Sequence, residues 1–356
     1  MFKTITIKNY RALSNLQLSN LSRINILMGE NNCGKSTFLE SVFLLTGLSR
    51  LELLLRCNDI RDYSKIKDFS YFFHNLDTSK EIEINSYSDG NTNFNRELKI
   101  QKVASSQVTI SPESIQSDAV SSNDGFSESV RFTAKVNNQN IEASYETQLK
   151  SVPGGEKPLV ETGKVTKDKD YRESIFCQYV SPKNSFNTAL EYAKKIQEEK
   201  KEAEIIESLK MLDSRISNFS IIDEDIFIDV ELNKRIPINF WGDGTRKFFS
   251  ILVSLYKCQN SVLLIDEIDN GLHFSAMQNL WHSVQAMAQK YNVQLFITTH
   301  NIDSLNALKH SFEKNESLEN DFSFYKLIQK VDGSNLALRY SGKEVRNLLE
   351  LENEIR

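Results

Sequence analysis

The chain has no apolar run long enough to span a bilayer, so a membrane-spanning protein is not expected. Its opening, "MFKTITIKNYRAL", lacks the apolar centre of a secretory signal. Cysteine is scarce and scattered, with four residues (Cys33, Cys57, Cys177 and Cys258) and no C-x-x-C pair. That argues against a disulfide framework and a cysteine zinc site, and it suits a reducing cytoplasm. Positive charge is not in excess. The formal net charge is -5, and no stripe of Lys and Arg marks any segment. Constitutive coating of DNA or of an anionic membrane is therefore disfavoured, although a local basic patch is not. No internal repeat is evident. What remains is a chain of 356 residues, 40% apolar and 26% charged, as expected of one large or two ordinary globular domains.

Against this background one stretch stands out: "NILMGENNCGKSTFLESVFLL". Gly29, Gly34, Lys35 and Ser36 fit the pattern G-x-x-x-x-G-K-[ST]. "INILM" reads as a buried strand, and Phe38, Val42 and Leu45 fall at helical spacing. Strand, glycine-rich loop and helix together are the context that makes the pattern a phosphate-binding loop. The glycines let the N–H groups of Asn31, Asn32, Cys33 and Gly34 curl around phosphate oxygens, and the helix N-terminus adds a favourable potential. In this reading Lys35 bridges the β- and γ-phosphates of ATP, Ser36 ligates Mg2+ and Thr37 contacts the α-phosphate. Cys33 lies inside the loop, where a helix N-terminus lowers a thiol pKa; redox sensitivity is conceivable there, and an inert filler is the simpler reading.

Two further strands end in polar residues. "SVLLIDEIDNGLH" buries four apolar side chains and then presents Asp266 and Glu267. Asp266 can hold magnesium, directly or through water, and Glu267 can act as general base on an attacking water. Adjacent acids after a strand can also be mere solvation; the phosphate loop in the same chain favours the functional reading. "VQLFITTH" repeats the logic, with His300 placed to reach a γ-phosphate or orient the water. A lone histidine at a strand end is more often structural, and here the order loop, acid pair, histidine decides for function.

The rest of the chain reads in blocks. "FKTITIKNY" and "LQLSNLSRINILM" supply the first strands, and the helix after the loop runs to about Leu48. Arg50 to Asn75 is mixed and mostly helical, and "SKEIEINSYSDG" resumes alternation. Residues 104–128 are rich in Ser, Asn and Asp and predict a flexible loop. "VRFTAKVNNQNIEASYETQ" predicts a hairpin and "ESIFCQYVSP" a buried strand. From Asn187 to about Ser217, Ala193, Ile196, Ala203, Ile206, Leu209 and Ile216 recur at helical spacing. That predicts a surface helix pair, since about four heptads are too few for a long coiled-coil arm. "IFIDVEL" with "RIPINF" predicts a hairpin, "WGDGTRKFFSILVSLYK" a glycine turn opening a helix, and the tail a hairpin around "VDGSN" before a last helix. Strands alternating with helices imply a mostly parallel α/β sheet, with ligands at the strands' carboxyl ends.

In this order the chain resembles the ABC-type ATPase superfamily, in its SMC-like branch of recombination, chromosome-maintenance and anti-phage proteins rather than transporters. "FKTITIKNYRALSNLQL", "GENNCGKST", "SVLLIDEIDNGLH" and "FITTH" carry the resemblance. It is most similar to stand-alone AAA-type ATPases related to the OLD (overcoming lysogenization defect) family, as in PARIS-like and RloA-like anti-phage systems. The resemblance extends over essentially the whole chain, to "NEIR". It implies one ABC-ATPase head over residues 1–356: an N-terminal lobe 1–182 with an antiparallel β insertion, a helical arm 183–220 and a C-terminal lobe 221–356. It also implies that ATP is sandwiched between two heads, so that the phosphate loop of one faces a signature turn of the other. The matching turn is "NFWGDGTRK", with Gly242 and Gly244. Asp243 departs from the family pattern, since an acid there repels a γ-phosphate unless it points away; Thr245 or Arg246 could donate instead, and the turn could equally be no more than a helix cap within its own chain. Gln178 falls where the family's metal-sensing glutamine lies, although a structural glutamine on a buried strand fits as well. Arg11 matches a position close to the nucleotide, and Asp269 matches the interface loop after the catalytic acid.

The function so implied is an Mg2+-dependent ATPase switch that forms a homodimer, or a higher homo-oligomer, around ATP. Its expected partner is a separately encoded, Toprim-like nuclease in antiviral defence, because fewer than sixty residues follow His300 and leave no room for a Toprim domain. The alternative is a DNA-repair ATPase binding nucleic acid along a basic groove of the closed dimer. A scaffold that binds nucleotide without turnover is disfavoured by the presence of Lys35, Asp266, Glu267 and His300 together.

Overall fold

The computed structural model describes the chain apart from residues 51, 62, 64–67, 91, 104–126, 138, 150–158, 183–185, 315 and 351–356. In chain order the elements are β1 (Thr4–Tyr10), β2 (Leu13–Ser19), β3 (Ile24–Met28), α1 (Lys35–Thr46), α2 (Glu52–Asp59), β4 (Ile82–Tyr87), β5 (Arg96–Val103), β6 (Ser127–Val136), β7 (Gln139–Leu149) and β8 (Leu159–Lys167). There follow β9 (Cys177–Val180), α3 (Phe186–Glu198), α4 (Glu202–Leu212), β10 (Asn218–Ile222), β11 (Asp225–Asp229), β12 (Ile236–Pro237) and α5 (Asp243–Lys257). The chain ends with β13 (Val262–Ile265), α6 (Phe274–Lys290), β14 (Gln294–Thr298), α7 (Ile302–Lys314), β15 (Phe322–Gln329), β16 (Asn335–Ser341) and α8 (Gly342–Glu350).

The central sheet has the order β16-β15-β3-β14-β13-β9. Its strands β15, β3, β14, β13 and β9 run parallel, and β16 closes one edge antiparallel to β15. Every residue of β3, β13 and β14 is buried, as continuous apolar strands covered on both faces must be. Alternation along β3 assigns the faces. Leu27 joins a core with Phe38 of α1 and the seven-stranded sheet, whereas Ile24 and Ile26 join a second core with Phe248 of α5 and Trp281 of α6. The strand feeding the phosphate loop therefore lies directly beside β14, with β13 next. This is the arrangement expected of the strands ending in "TTH" and "DE".

The second sheet is antiparallel, in the order β2-β1-β4-β5-β6-β7-β8. It joins the strands legible in the sequence, β1, β2, β4 and the β6–β7 hairpin, with two that were not, β5 and β8. β5, "RELKIQKV", buries alternate residues between exposed charged ones, and its Glu and Lys content hides the strand from a reading based on apolar residues. Arg96 of β5 is fully buried and locks this sheet to the first helix. It donates to the Leu45 carbonyl at 2.8 Å and to Glu173 at 2.7 Å, the pairing that a buried guanidinium requires. The predicted loop 104–128 lies outside the described residues up to 126, and 127–128 already belong to β6.

The helix pair α3 and α4 packs on α5, and α4 also touches α6. Ile196, Ile205 and Leu209 are buried there. Thus Ile205, rather than the expected Ala203 or Ile206, takes the inward position after the break between the helices. The "IFIDVEL" strand pairs with "RIPINF" as predicted, but its longer partner is β10, in a three-stranded sheet β10-β11-β12. All four cysteines are buried and free. Among the described residues no helix is long and apolar enough to cross a membrane.

Candidate functional site

The phosphate loop owes its shape to glycines at two tight points. Gly29 has φ 140°, and a Cβ there would lie 2.5 Å from the Leu327 carbonyl oxygen. Gly34 has φ 100°, and a Cβ there would lie 2.5 Å from Leu13 Cδ2. No side chain caps α1 and no acid stands in its first turn, so its leading N–H groups suit an anion. Lys35 Nζ donates to the carbonyls of Gly29 (2.8 Å) and Glu30 (2.7 Å), so it lies folded over its own loop. Cys33 is buried behind the loop, 3.9 Å from the same ammonium. Its thiol is pushed up by burial, against the redox-sensitive reading.

Four elements converge on Asp266, which is only 7% exposed just beyond β13. Its Oδ1 accepts from Thr298 Oγ1 at 2.5 Å and from Ser36 Oγ at 3.2 Å. Its Oδ2 accepts from the Tyr179 hydroxyl at 3.0 Å. Burial and the nearby carboxylate push the Tyr179 phenol well above its ordinary pKa, so it is a permanent donor. Thr298 Oγ1 in turn accepts the N–H of Glu267 at 2.8 Å. Glu267 itself sits at φ 49°, a left-handed conformation that costs a non-glycine residue about 1–3 kcal/mol and recurs at functional sites. Lys247 of α5 donates to the Glu267 carbonyl. Burial pulls the Lys247 ammonium down to about 8, against the opposing pull of Asp269, Glu267 and Asp266.

The donor set suits magnesium. A serine hydroxyl and a carboxylate oxygen 3.2 Å apart are close to the spacing of about 3 Å between neighbouring ligands of an octahedral ion held at about 2.1 Å. Among the described residues no cluster of three or more His, Cys, Asp or Glu could hold a metal ion by itself. An ion here would therefore complete its shell with phosphate oxygens and water.

Arg11, Asn31, Asn32, Gly34, Lys35, Ser36, Thr37, Asp266 and Glu267 line one cleft of about 580 Å³. Arg11, at φ 48°, is held by its surroundings: its guanidinium lies 3.3 Å from Glu40 and 2.7 Å from Asn58, and its carbonyl meets His74 Nδ1 at 2.7 Å. Arg61 lines the same cleft.

Other candidates lie elsewhere. His300 is exposed beyond β14 and borders a separate cavity of about 270 Å³ with Gly29, Glu30 and Asn31, on the loop rather than beside Asp266. Gln178 corrects the metal reading, because its Oε1 accepts from Tyr192 on α3 at 2.8 Å. Neighbours on a strand point to opposite faces, so it is Tyr179, not Gln178, that reaches the acid. Gly242 has φ 110° and open space around its α-carbon, whereas a Cβ on Gly244 would lie 2.8 Å from the carbonyl oxygen of Gly271. Asp243 is 87% exposed and lies 3.4 Å from Arg246, so it points to solvent; Thr245 and Asp269 are buried.

Sequence reading missed Glu40, Arg61, Tyr179, Thr298 and Lys247. Glu40 had a signal, as the one acid in the otherwise apolar face of "STFLESVFLL". Thr298 had another, as the last residue of a buried strand. Arg61 and Lys247 had none, because pattern alone does not say what a basic residue meets.

A parallel sheet with a phosphate loop, an acid pair on a neighbouring strand and a separate antiparallel sheet defines an ABC-type ATPase head. The chain belongs to the AAA ATPase domain family, which matches residues 1–305. An ATP/GTP phosphatase of Helicobacter pylori is 26% identical over 348 residues, covering 86% of this chain and 87% of that one. The uncharacterized protein MJECL10 of Methanocaldococcus jannaschii is 35% identical over 92 residues, 24% of this chain and 40% of that one. Among solved structures, an SMC head bound to the C-winged helix domain of ScpA superposes with a TM-score of 0.51 at 10% identity, covering 96% of this chain and 98% of that one. The fold is thus that of an SMC-like ATPase head.

Proposed function

We propose that this ATPase is an Mg2+-dependent switch, closed by ATP binding between two copies and opened by hydrolysis. The observation that carries the reading is the contact between Ser36 and Asp266, 230 positions apart in sequence and 3.2 Å apart in space. It puts the phosphate loop and the acid pair on one cleft. In this reading Lys35 leaves the Gly29 and Glu30 carbonyls for the β- and γ-phosphates, and α1 presents its N–H groups to them. Ser36 and Asp266 would hold the magnesium, which would supply charge neutralisation on the phosphates. Glu267 accepts a proton from the attacking water as the bond from the γ-phosphorus to the β,γ-bridging oxygen breaks, and ADP and phosphate leave.

The signature turn supports the two-copy reading. Gly242 stands in open space, and α5 begins there without a side-chain cap, which leaves its N-terminus available to a second copy's nucleotide. Closure and opening would then be read by a partner, a separately encoded nuclease in anti-phage defence, which would do the cutting. The test is phosphate release with and without magnesium, paired with light scattering. Glu267→Gln is expected to bind ATP, stop turnover and accumulate dimer, and Lys35→Ala to lose ATP binding or turnover together with any ATP-induced dimer. Normal turnover by Glu267→Gln would sink the assignment.

A further inference from the structure

On one wall of the cleft a single buried carboxylate faces two guanidinium groups. Glu40 is 0% exposed on α1, yet it serves two guanidinium groups. Its Oε1 lies 2.6 Å from Arg61 Nε, and its Oε2 lies 3.3 Å from Arg11 Nε. Among the described residues, Glu40 is the carboxylate that both arginines share, and the Arg61 guanidinium keeps an open side toward the cleft. A guanidinium oriented by a buried carboxylate and open on its other edge is a ready partner for a phosphate oxygen.

The two arginines are not equivalent. The Arg11 side chain is 10% exposed and is further committed to Asn58 and to the face of Phe72, 4.7 Å away. The Arg61 side chain is 41% exposed and lines the cleft. Its Nη2 donates to Thr37 Oγ1 at 3.2 Å, which lays the guanidinium against the first turn of α1. Thr37 follows Lys35 and Ser36, the residues that such a loop aims at the β- and γ-phosphates. A cation on the Thr37 side is therefore placed for the phosphate nearer the ribose.

We propose that Arg61 is a nucleotide-binding residue that contacts the α-phosphate of the bound nucleoside triphosphate, aimed by Glu40 and Thr37. This rests on the nucleotide-binding reading of the cleft and adds to it a cationic contact that outlasts hydrolysis, because the α-phosphate is common to ATP and ADP. Arg61 thus holds the nucleotide in both states, whereas Lys35 and Ser36 distinguish them.

Calorimetric titration of the full chain with ATP and with ADP, in the presence of magnesium, tests this. Arg61→Ala is expected to weaken both nucleotides by a similar factor of about ten, and Arg61→Lys to recover part of that loss. Arg61→Gln keeps a donor for Glu40 and Thr37 without the charge and guards against a variant that fails to fold; it too is expected to weaken both. Unchanged affinities with a lowered melting temperature would mean a structural role and overturn the proposal. A loss confined to ATP would move the contact to the γ-phosphate and overturn it likewise. Wild-type protein that binds neither nucleotide would instead overturn the nucleotide-binding reading itself, and this assignment with it.

Discussion

Thr298 Oγ1 lies 2.5 Å from Asp266 Oδ1 and at the same time accepts the N–H of Glu267 at 2.8 Å. One hydroxyl at the end of β14 thus fixes both acids at the end of β13, the first through its side chain and the second through its backbone. Thr298→Val keeps the volume and removes both bonds. A buried N–H left without a partner costs about 1–3 kcal/mol, and a drift of the acids by an ångström costs about a hundredfold in rate. The expected outcome is a lowered melting temperature and phosphate release reduced by about ten- to a hundredfold, with ATP affinity within about threefold of wild type. Wild-type turnover in this variant would show that Glu267 does not depend on Thr298 for its placement.

Lys247 predicts an alkaline stability rise. Its ammonium is pulled from the ordinary 10.5 to about 8 by burial. Below pH 8 the folded and unfolded chains both carry the proton, and the folded one bears the cost of a buried charge. Between about 8 and 10.5 the unfolded chain holds a proton that the folded chain has released, so stability rises with pH, and the gain is complete above 10.5. The full span is worth up to about 3 kcal/mol. Lys247→Met removes the titration along with the bond to the Glu267 carbonyl. The variant is expected to be more stable than wild type at pH 7, by about 1–2 kcal/mol after the lost bond is counted. That advantage is expected to disappear by pH 10.5. Urea denaturation of both proteins at pH 7, 9 and 10.5 checks this, because the difference between them isolates the lysine from other alkaline effects. An advantage that stays constant with pH would place the lysine's titration outside this range.

The parts of this site that could be read from the chain are those where backbone shape and residue type coincide. The phosphate loop needs glycine at the close approaches of Gly29 and Gly34, so its pattern survives in one dimension. "VLLI" and "QLFIT" are apolar throughout because both faces of their strands are covered, and the acids follow where cover ends. The seven-stranded sheet was harder, because β5 alternates its few apolar residues with Glu, Lys and Gln, which are common in surface helices and loops. Gln178 was misplaced because its pattern gives the strand but not the face. The arginine wall was hidden for a different reason: Arg11, Glu40 and Arg61 meet only when β1, α1 and the end of α2 are brought together. The histidine sits two residues beyond β14, yet it borders the loop from a neighbouring cavity.

Glu40 is the structural keystone of that wall, and its removal is predicted to cost more than the loss of either arginine. Glu40→Ala leaves two guanidinium groups and no counter-charge, and breaking a buried pair in this way costs about 3–5 kcal/mol. Arg61→Ala leaves the Arg11 pair intact, so about 1 kcal/mol or less is expected from a partner that is 41% exposed. Denaturant melts of the two single variants give the comparison. A larger cost for Arg61→Ala would mean that Glu40 is held chiefly by Arg61.

Gly244 ties the signature turn to the loop that follows the acids. A Cβ at this position would stand 2.8 Å from the Gly271 carbonyl oxygen, closer than a side chain tolerates against backbone. Gly271 lies in the same short loop as Asp269 and just beyond Glu267. Gly244→Ala must therefore push the turn and the loop apart, at about 1–3 kcal/mol. Gly90 is the control, because a Cβ there meets nothing within 4 Å, and Gly90→Ala is expected to leave stability within about 0.5 kcal/mol. The consequence reaches function, since this contact, with the Lys247 bond to the Glu267 carbonyl, joins the loop after the acids to α5. Gly244→Ala is accordingly expected to lower the melting temperature and also to weaken the ATP-dependent dimer formed by the Glu267→Gln background, measured by light scattering. A stable Gly244→Ala protein with undiminished dimer would show that the turn and the loop move independently.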